Sequence, residues 1–343
     1  MPDRLIHPDS AVYREFVRLH RTARTLRPTP IDRWNGQLYA TDAAIWGGVS
    51  PVTGAVRLSD KLVLPHLTGS TSHQHPVEQA EALATVLHES THAGMNLKAP
   101  TEPNAVHSLH SLGLTEGVAE VRAMDDFQAF TWRAGYRDLV LPKPQYEGAY
   151  AATDRLLDHI DGPFRSREEL TDELVTGPAA MHFDRLAACV VRNRLWDVVP
   201  HHEDHQRAVR AALIDSMLHD AWPDLPDHST GIGERVADDI RTDLNAKVDE
   251  IRRHYHHSPR NPFDAEQPNL EAVRGRLESA SPADLPRQRT LQAQVDLAAN
   301  LRFLSAQPSA SLATRSQASL GLGSRTRPGT PQTTRPRNRD GRT

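Results

Sequence analysis

Apolar residues recur every three to four positions along most of the chain, the period of a helix, and the period shortens in one region only, between Gln37 and Val63. A first amphipathic helix is predicted over 9–26, with Val12, Phe16 and Leu19 as its stripe and basic residues filling much of the remainder. In the short-period region, 43–49 and 55–58 read as strands joined by the turn Ser50-Pro51-Val52-Thr53-Gly54, a hairpin. A helix over 77–98 follows, with Pro76 suited to its first turn and Val77, Ala80, Ala84, Leu87, Thr91 and Met95 as its apolar stripe. Another is predicted over 115–134, with Thr115 as N-cap. Helical spacing returns over 149–160, 167–174, 179–198, 205–221 and 233–255, so this part of the chain is expected to be mainly helical. Two shorter helical patterns, 269–279 and 286–306, flank Ser281-Pro282. Residues 308–343 contain almost no large apolar side chain and are expected to be disordered.

The polar positions of the 77–98 helix carry the chemistry. His88-Glu89-Ser90-Thr91-His92 is an HExxH pentapeptide, and residues four apart on a helix share one face, so two imidazoles can meet one ion. Glu89 is rotated about a quarter-turn from His88, where a carboxylate can act as general base on a metal-held water. With 19 histidines in 343 residues such a pattern also arises by composition, as two surface histidines on an amphipathic helix. The surroundings favour a site. Ala82, Ser90, Ala93 and Gly94 are small enough to admit neighbouring backbone, and Glu81 and Thr85 extend the polar seam, which suits a cleft wall.

A catalytic zinc generally has three protein ligands and one open position. The metzincin continuation is excluded, because Met95 and Lys98 stand where Gly and His would be needed. Downstream, Gly113-Leu114-Thr115-Glu116-Gly117-Val118-Ala119-Glu120 offers Glu116 in the expected first turn of the next helix, with Glu120 one turn further on the same face. There Glu120 can fix the tautomer of a ligand histidine from behind.

These residues resemble the gluzincin branch of the zincin metallopeptidases, which join HExxH on one helix to a glutamate on the next. The resemblance spans roughly 40–135. It implies that His88, His92 and Glu116 bind one zinc ion, that Glu89 is the base and that Glu120 supports a ligand from behind. Two departures stand out: 23 residues separate His92 from Glu116, more than the commonest spacing, and Glu120 occupies a place where Asp is often found. The Gly-x-Met-Glu-Asn motif of the large zinc aminopeptidases does not occur. The resemblance also implies a strand edge lining the cleft, assigned to 54–59, and an oxyanion-stabilising residue beyond the glutamate ligand. Tyr146 and Tyr150 are the candidates, with Tyr136 behind them.

Other chemistry-bearing residues have alternative readings. His66, His73 and His75 precede the zinc helix and His107 and His110 precede Glu116; His110 is the substitute ligand if Glu116 fails. Asp125 and Asp126 read as solvated or salt-bridged. Clusters at 201–205 and 254–257 could hold a second metal or sit exposed at helix ends. Cys189, the single cysteine, lies in an apolar run and reads as a buried thiol, which also argues against the deformylase type of HExxH protein.

Composition adds limits. The chain is 38% hydrophobic and 24% charged, with 25 prolines and mean hydropathy −0.56, and no run approaches a transmembrane span. The N-terminus lacks the apolar core of a secretory signal and one cysteine suits a reducing compartment, so a cytoplasmic location is expected. The net charge of −4 names no partner. The stretch 308–343 carries seven arginines against one aspartate, a basis for weak association with nucleic acid or an acidic partner without stacking aromatics. The expected architecture is α+β and zincin-like, with a small, mostly antiparallel sheet: 1–98 a lobe with sheet and HExxH helix, 99–258 a helical lobe carrying the third ligand, 259–307 a helical extension and 308–343 a basic tail. The expected function is zinc-dependent hydrolysis of a peptide or protein without membrane attachment. Its rivals are a regulatory protease cutting one dedicated protein and a non-enzymatic interaction protein.

Overall fold

In the computed structural model, which describes residues 3–67, 75–95 and 98–269, the short-period region becomes a four-stranded mixed sheet. Its strands are β1 (Arg4–Leu5), β2 (Leu38–Thr41), β3 (Gly47–Val49) and β4 (Val56–Ser59), in spatial order β1-β2-β4-β3. The predicted hairpin forms, with Gly47 opposite Leu58 and Val49 opposite Val56, although its first strand covers only the end of 43–49. Gly54 closes the turn at φ +76°, its N–H donating to the Ser50 carbonyl at 2.9 Å; a Cβ there would overlap the Arg33 carbonyl. The expectation that 54–59 is the sheet edge fails. β2, too short to announce itself by alternation, pairs parallel with β4, Leu38 opposite Val56, and leaves β3 as the edge on that side.

The helices are α1 (Ala11–Leu26), α2 (Pro76–Gly94), α3 (Leu109–Arg133), α4 (Glu147–Ile160), α5 (Arg167–Thr176), α6 (His182–Arg194), α7 (Glu203–Asp215) and α8 (Thr230–His257). The chain is therefore α+β. The Ser10 hydroxyl caps α1 by accepting from the Tyr13 N–H at 3.2 Å, and Phe16 and Leu19 are buried as their spacing predicts. α2 is less amphipathic than predicted. Nearly every residue from Gln79 to Gly94 is buried, and Val77, assigned to the stripe, is exposed near the start of the helix. The predicted run 205–221 stops as a helix at Asp215; a three-ten turn with two prolines, Trp222–Asp227, follows. The run 179–198 divides into a three-ten turn and α6. The predicted helix 269–279, except Asn269, together with 286–306 and the 308–343 tail, lies outside the described residues. No helix among the described residues is long and apolar enough to cross a membrane.

α3 begins well before its predicted start. Ser108 precedes it, and Thr115 lies inside the helix, its hydroxyl donating to the Ser111 carbonyl at 2.6 Å. Gly113 also lies inside the helix, and a Cβ there would overlap the Trp222 carbonyl: the glycine serves close packing. At 25 residues the helix is about 37 Å long and enters two hydrophobic cores. Leu114, Val118 and Val121 pack in a helical core with residues of α4 to α8, whereas Phe127 and Phe130 join the core formed by the sheet, α1 and α2.

Where α3 passes α1, Arg122 is 2% exposed and meets Asp126 at 3.2 Å and the Ala23 carbonyl at 2.8 Å. Arg27 grips the same carboxylate with two bonds, at 2.7 and 3.0 Å, so Asp126 is salt-bridged as its alternative reading allowed. Removing one member of a buried pair strands the other. Asp126→Ala, which takes this carboxylate from both Arg122 and Arg27, is expected to cost about 3–5 kcal/mol in urea unfolding.

Candidate metal centre

α2 and α3 pack side by side, and their facing turns bring together the residues that the two sequence patterns singled out. His88 Nε2 and His92 Nε2, one turn apart, lie 2.9 Å from each other. Glu116 Oε2 stands 3.2 Å from the first and 3.3 Å from the second. Tetrahedral zinc with ligand bonds near 2.0–2.1 Å separates its ligand atoms by about 3.3 Å, so the three atoms already form most of one face of that figure. Among the described residues this is the one group of three potential ligand side chains that converges. Burial is graded across it: the side chains of His88, His92 and Glu116 are 1%, 15% and 23% exposed. The open side of the site lies with His92 and Glu116.

Behind these three side chains, Glu120 sits one turn along α3 from Glu116. Its Oε2 is 2.8 Å from His88 Nδ1, an ion-pair contact off the direction of a hydrogen bond, so both atoms lack a hydrogen-bond partner. Its Oε1 accepts the Gln145 N–H at 2.6 Å, and the Gln145 side chain reaches α2 at the Thr85 hydroxyl (2.8 Å) and the Glu81 carbonyl (3.0 Å). The start of α4 is thereby tied to both ligand helices. Gly117 permits the close approach, since a Cβ there would lie 2.6 Å from the Ala149 carbonyl.

Glu89 is 3% exposed, and its Oε2 has no hydrogen-bond partner. A buried carboxylate oxygen left unpaired is costly, which fits a group whose partner arrives with a ligand. Edge strand β3 covers it: a Cβ on Gly47 would lie 2.8 Å from Glu89 Oε1 and 3.0 Å from Thr85 Cγ2. Sequence reasoning missed both Gly47 and Gln145. A glycine inside a strand pattern is a signal of close backbone approach, whereas nothing in the sequence marks Gln145.

The electrostatics follow from burial and charge. Desolvation, only partly opposed by His88 and His92, pushes the Glu89 carboxyl up to about 7. For His88 burial works against the charge, but Glu116 and Glu120 outweigh it and hold the imidazole well above its usual range. Desolvation also opposes the charge of the partly buried Glu116, yet His92 and His88 hold it well below the carboxylate range. Without a cation the cluster thus keeps a proton among carboxylates. A divalent ion held by the same three atoms would replace that proton.

Tyr146, immediately before α4, is 8% exposed, with its ring centroid 5.2 Å from that of His88. Burial first, then the charges of Glu116, Glu89 and Glu120, raise its phenol well above the ordinary value and keep it a neutral donor. Tyr150 faces elsewhere; besides burial, the charges of Asp154 and Asp125 help push it up to about 12, so of the two candidates Tyr146 is at the ligand set. The Tyr136 hydroxyl lies 2.6 Å from Glu15 Oε1 and 2.9 Å from the Leu67 carbonyl. His110 bonds Ser108 Oγ at 2.9 Å near Asp220 and His219, and His66 faces His75 with ring centroids 6.1 Å apart. His73 lies outside the described residues. The two further clusters gather no metal-binding trio: His205 contacts the Tyr255 hydroxyl at 3.1 Å and His254 the Asn261 carbonyl at 2.9 Å. Cys189 is buried and its thiol is pushed up to about 12 by desolvation. Comparison with protein-family models, with curated proteins and with solved structures found no match.

Two pH dependences follow. Because the metal-free site holds a proton on His88 above the ordinary histidine range, protons compete with the ion at low pH. The rise in Tm produced by zinc is expected to be larger at pH 8 than at pH 6, as read by thermal melts with and without chelator. Glu89 titrates near 7 when folded but near 4.5 when unfolded, so the metal-free protein loses stability as pH rises through that interval. Glu89→Gln removes this loss, and in urea unfolding of chelated protein it is expected to be more stable than wild type at pH 8, by up to about 3 kcal/mol, with no gain at pH 4.

Proposed function

We propose that the protein is a zinc-dependent metallopeptidase of gluzincin type, with a zincin-like arrangement of sheet edge, HExxH helix and ligand helix. The observation that carries this reading is the convergence of His88 Nε2, His92 Nε2 and Glu116 Oε2 beside the buried, unpartnered carboxylate oxygen of Glu89. Two imidazoles and one carboxylate suit a catalytic zinc with an open position, and Glu120 supplies the outer carboxylate that orients a ligand histidine. The same donors also accept other divalent ions. The single cysteine, buried and reduced, accords with action in the cytoplasm.

Bound zinc would polarise a peptide carbonyl and acidify a water in the open position. Glu89, poised near neutral, would be the group that takes a proton from that water and returns it to the departing amine. Gly47 keeps this carboxylate covered by edge backbone instead of by a side chain, and the edge of β3 offers N–H and C=O groups along which an extended peptide can align. Tyr146, held neutral against His88, is the donor for the oxygen that gains charge. Substrate enters from the side of His92 and Glu116, the more exposed ligands.

The test combines elemental analysis with peptide hydrolysis. Wild type is expected to hold about one zinc per chain. Glu89→Gln should retain the metal and lose at least about a thousandfold in hydrolysis of a peptide library. Glu116→Ala should lose the metal. Zinc bound by all three proteins with no hydrolysis by wild type would support the interaction-protein reading instead; hydrolysis by Glu89→Gln near the wild-type rate would remove Glu89 as base.

A further inference from the structure

A second site lies at the end of α6, on residues that the metal centre does not use. A cavity of about 470 Å³ is lined there by, among others, Phe164, Arg165, Arg192, Trp196 and His201, with Cys189 beside them. Such a volume suits a small organic ligand. Phe164 and Trp196 are 47% and 54% exposed, and their rings meet edge to face with centroids 5.3 Å apart. Large aromatic side chains left half in water form a wall that a ligand can cover.

The wall is held rigidly. Asn193 Oδ1 accepts the N–H groups of Phe164 (3.1 Å) and Arg165 (2.9 Å), and its Nδ2 donates to the carbonyls of Ile160 and Arg165, both at 2.9 Å. Gly162 lets the turn come this close, since a Cβ there would lie 2.7 Å from Asn193 Cγ. One side chain thus fixes the turn that presents Phe164, and the cost of ordering that wall is met before any ligand arrives.

The polar groups around the wall are incompletely matched. Arg165 pairs with Glu173, but its Nε is buried without a partner. Arg192 and His201 form no hydrogen bond or ion pair with the described residues, which leaves an unneutralised guanidinium lining the same cavity as Trp196. The other exposed tryptophan makes an instructive contrast. Trp132 is 64% exposed, but Arg137 already lies over its ring, 4.7 Å from the centroid, so that ring face is occupied from within the chain.

We infer that the Phe164–Trp196 cavity binds a small aromatic carboxylate, its ring against the aromatic wall and its carboxylate on Arg192. The inference is independent of the metal centre. Indole-3-acetate is a suitable probe, titrated into the full chain and followed by calorimetry. Saturable one-to-one binding is expected in about the millimolar range or tighter. Arg192→Met should weaken it about tenfold or more, and Trp196→Ala should abolish it. Trp132→Ala should leave it unchanged. Since Arg192 and Trp196 are exposed, an unchanged urea midpoint would verify that both variants fold. Absence of saturable binding to wild type, equal binding of the uncharged indole-3-acetamide, or unchanged affinity in folded Trp196→Ala and Arg192→Met would each overturn the inference.

Discussion

A buried imidazole and a partly buried one, a turn apart on α2, are tolerable only because α3 sets carboxylates against them. His88 is almost wholly removed from water and lies between Glu116 on one ring nitrogen and Glu120 on the other. A charged group taken out of water that far demands an opposite charge in a definite place. This requirement fixes the relative rotation of the two helices, since both carboxylates must come from one face of α3. Gln145 ties the start of α4 to Glu120, Gly117 lets α4 pack close on α3, and Gly47 lets β3 pack close on α2, so the paired helices are enclosed on both sides.

The helices with strong periodicity were legible in the chain, and so were the three side chains that converge as a candidate metal cluster. His88 and His92 are four apart on a helix that needs no metal to be credible, and Glu116 and Glu120 are four apart on the next; local spacing alone settles which side chains share a face. What the spacing could not supply is which surfaces meet. β4 has the composition of an edge or a centre equally well, and its central position depends on β2, a strand of four residues. The start of α3 was misread because a threonine suits an N-cap as well as a helix interior, where the Thr115 hydroxyl bonds the Ser111 carbonyl. Gly113 lies inside the same helix against the Trp222 carbonyl, so tertiary packing overrode propensity there.

The same distinction separates Tyr146 from Tyr150. Both stand in one short stretch with the same side chain, but Tyr146 precedes α4 with non-helical backbone, φ −106° and ψ 69°, and meets His88, whereas Tyr150 lies inside the helix toward Asp154 and Asp125. Gln145 is a plainer case. Its backbone N–H does the bonding to Glu120, and a backbone group leaves no trace in the residue's identity.

α3 is continuous through two hydrophobic cores, and its length acts as a ruler. Phe127 and Phe130 lock one end among the sheet, α1 and α2, while Leu114 and Val118 lock the other among the later helices. One residue inserted between Glu120 and Phe127 would turn the segment carrying the carboxylates by about 100° and shift it by about 1.5 Å relative to the aromatic end. Neither core could then keep its packing without swinging Glu116 and Glu120 away from His88. Substitutions on the outer face of α3 leave this geometry intact, but a change in residue count does not, so the evolutionary freedom of this helix lies in its composition and not in its length.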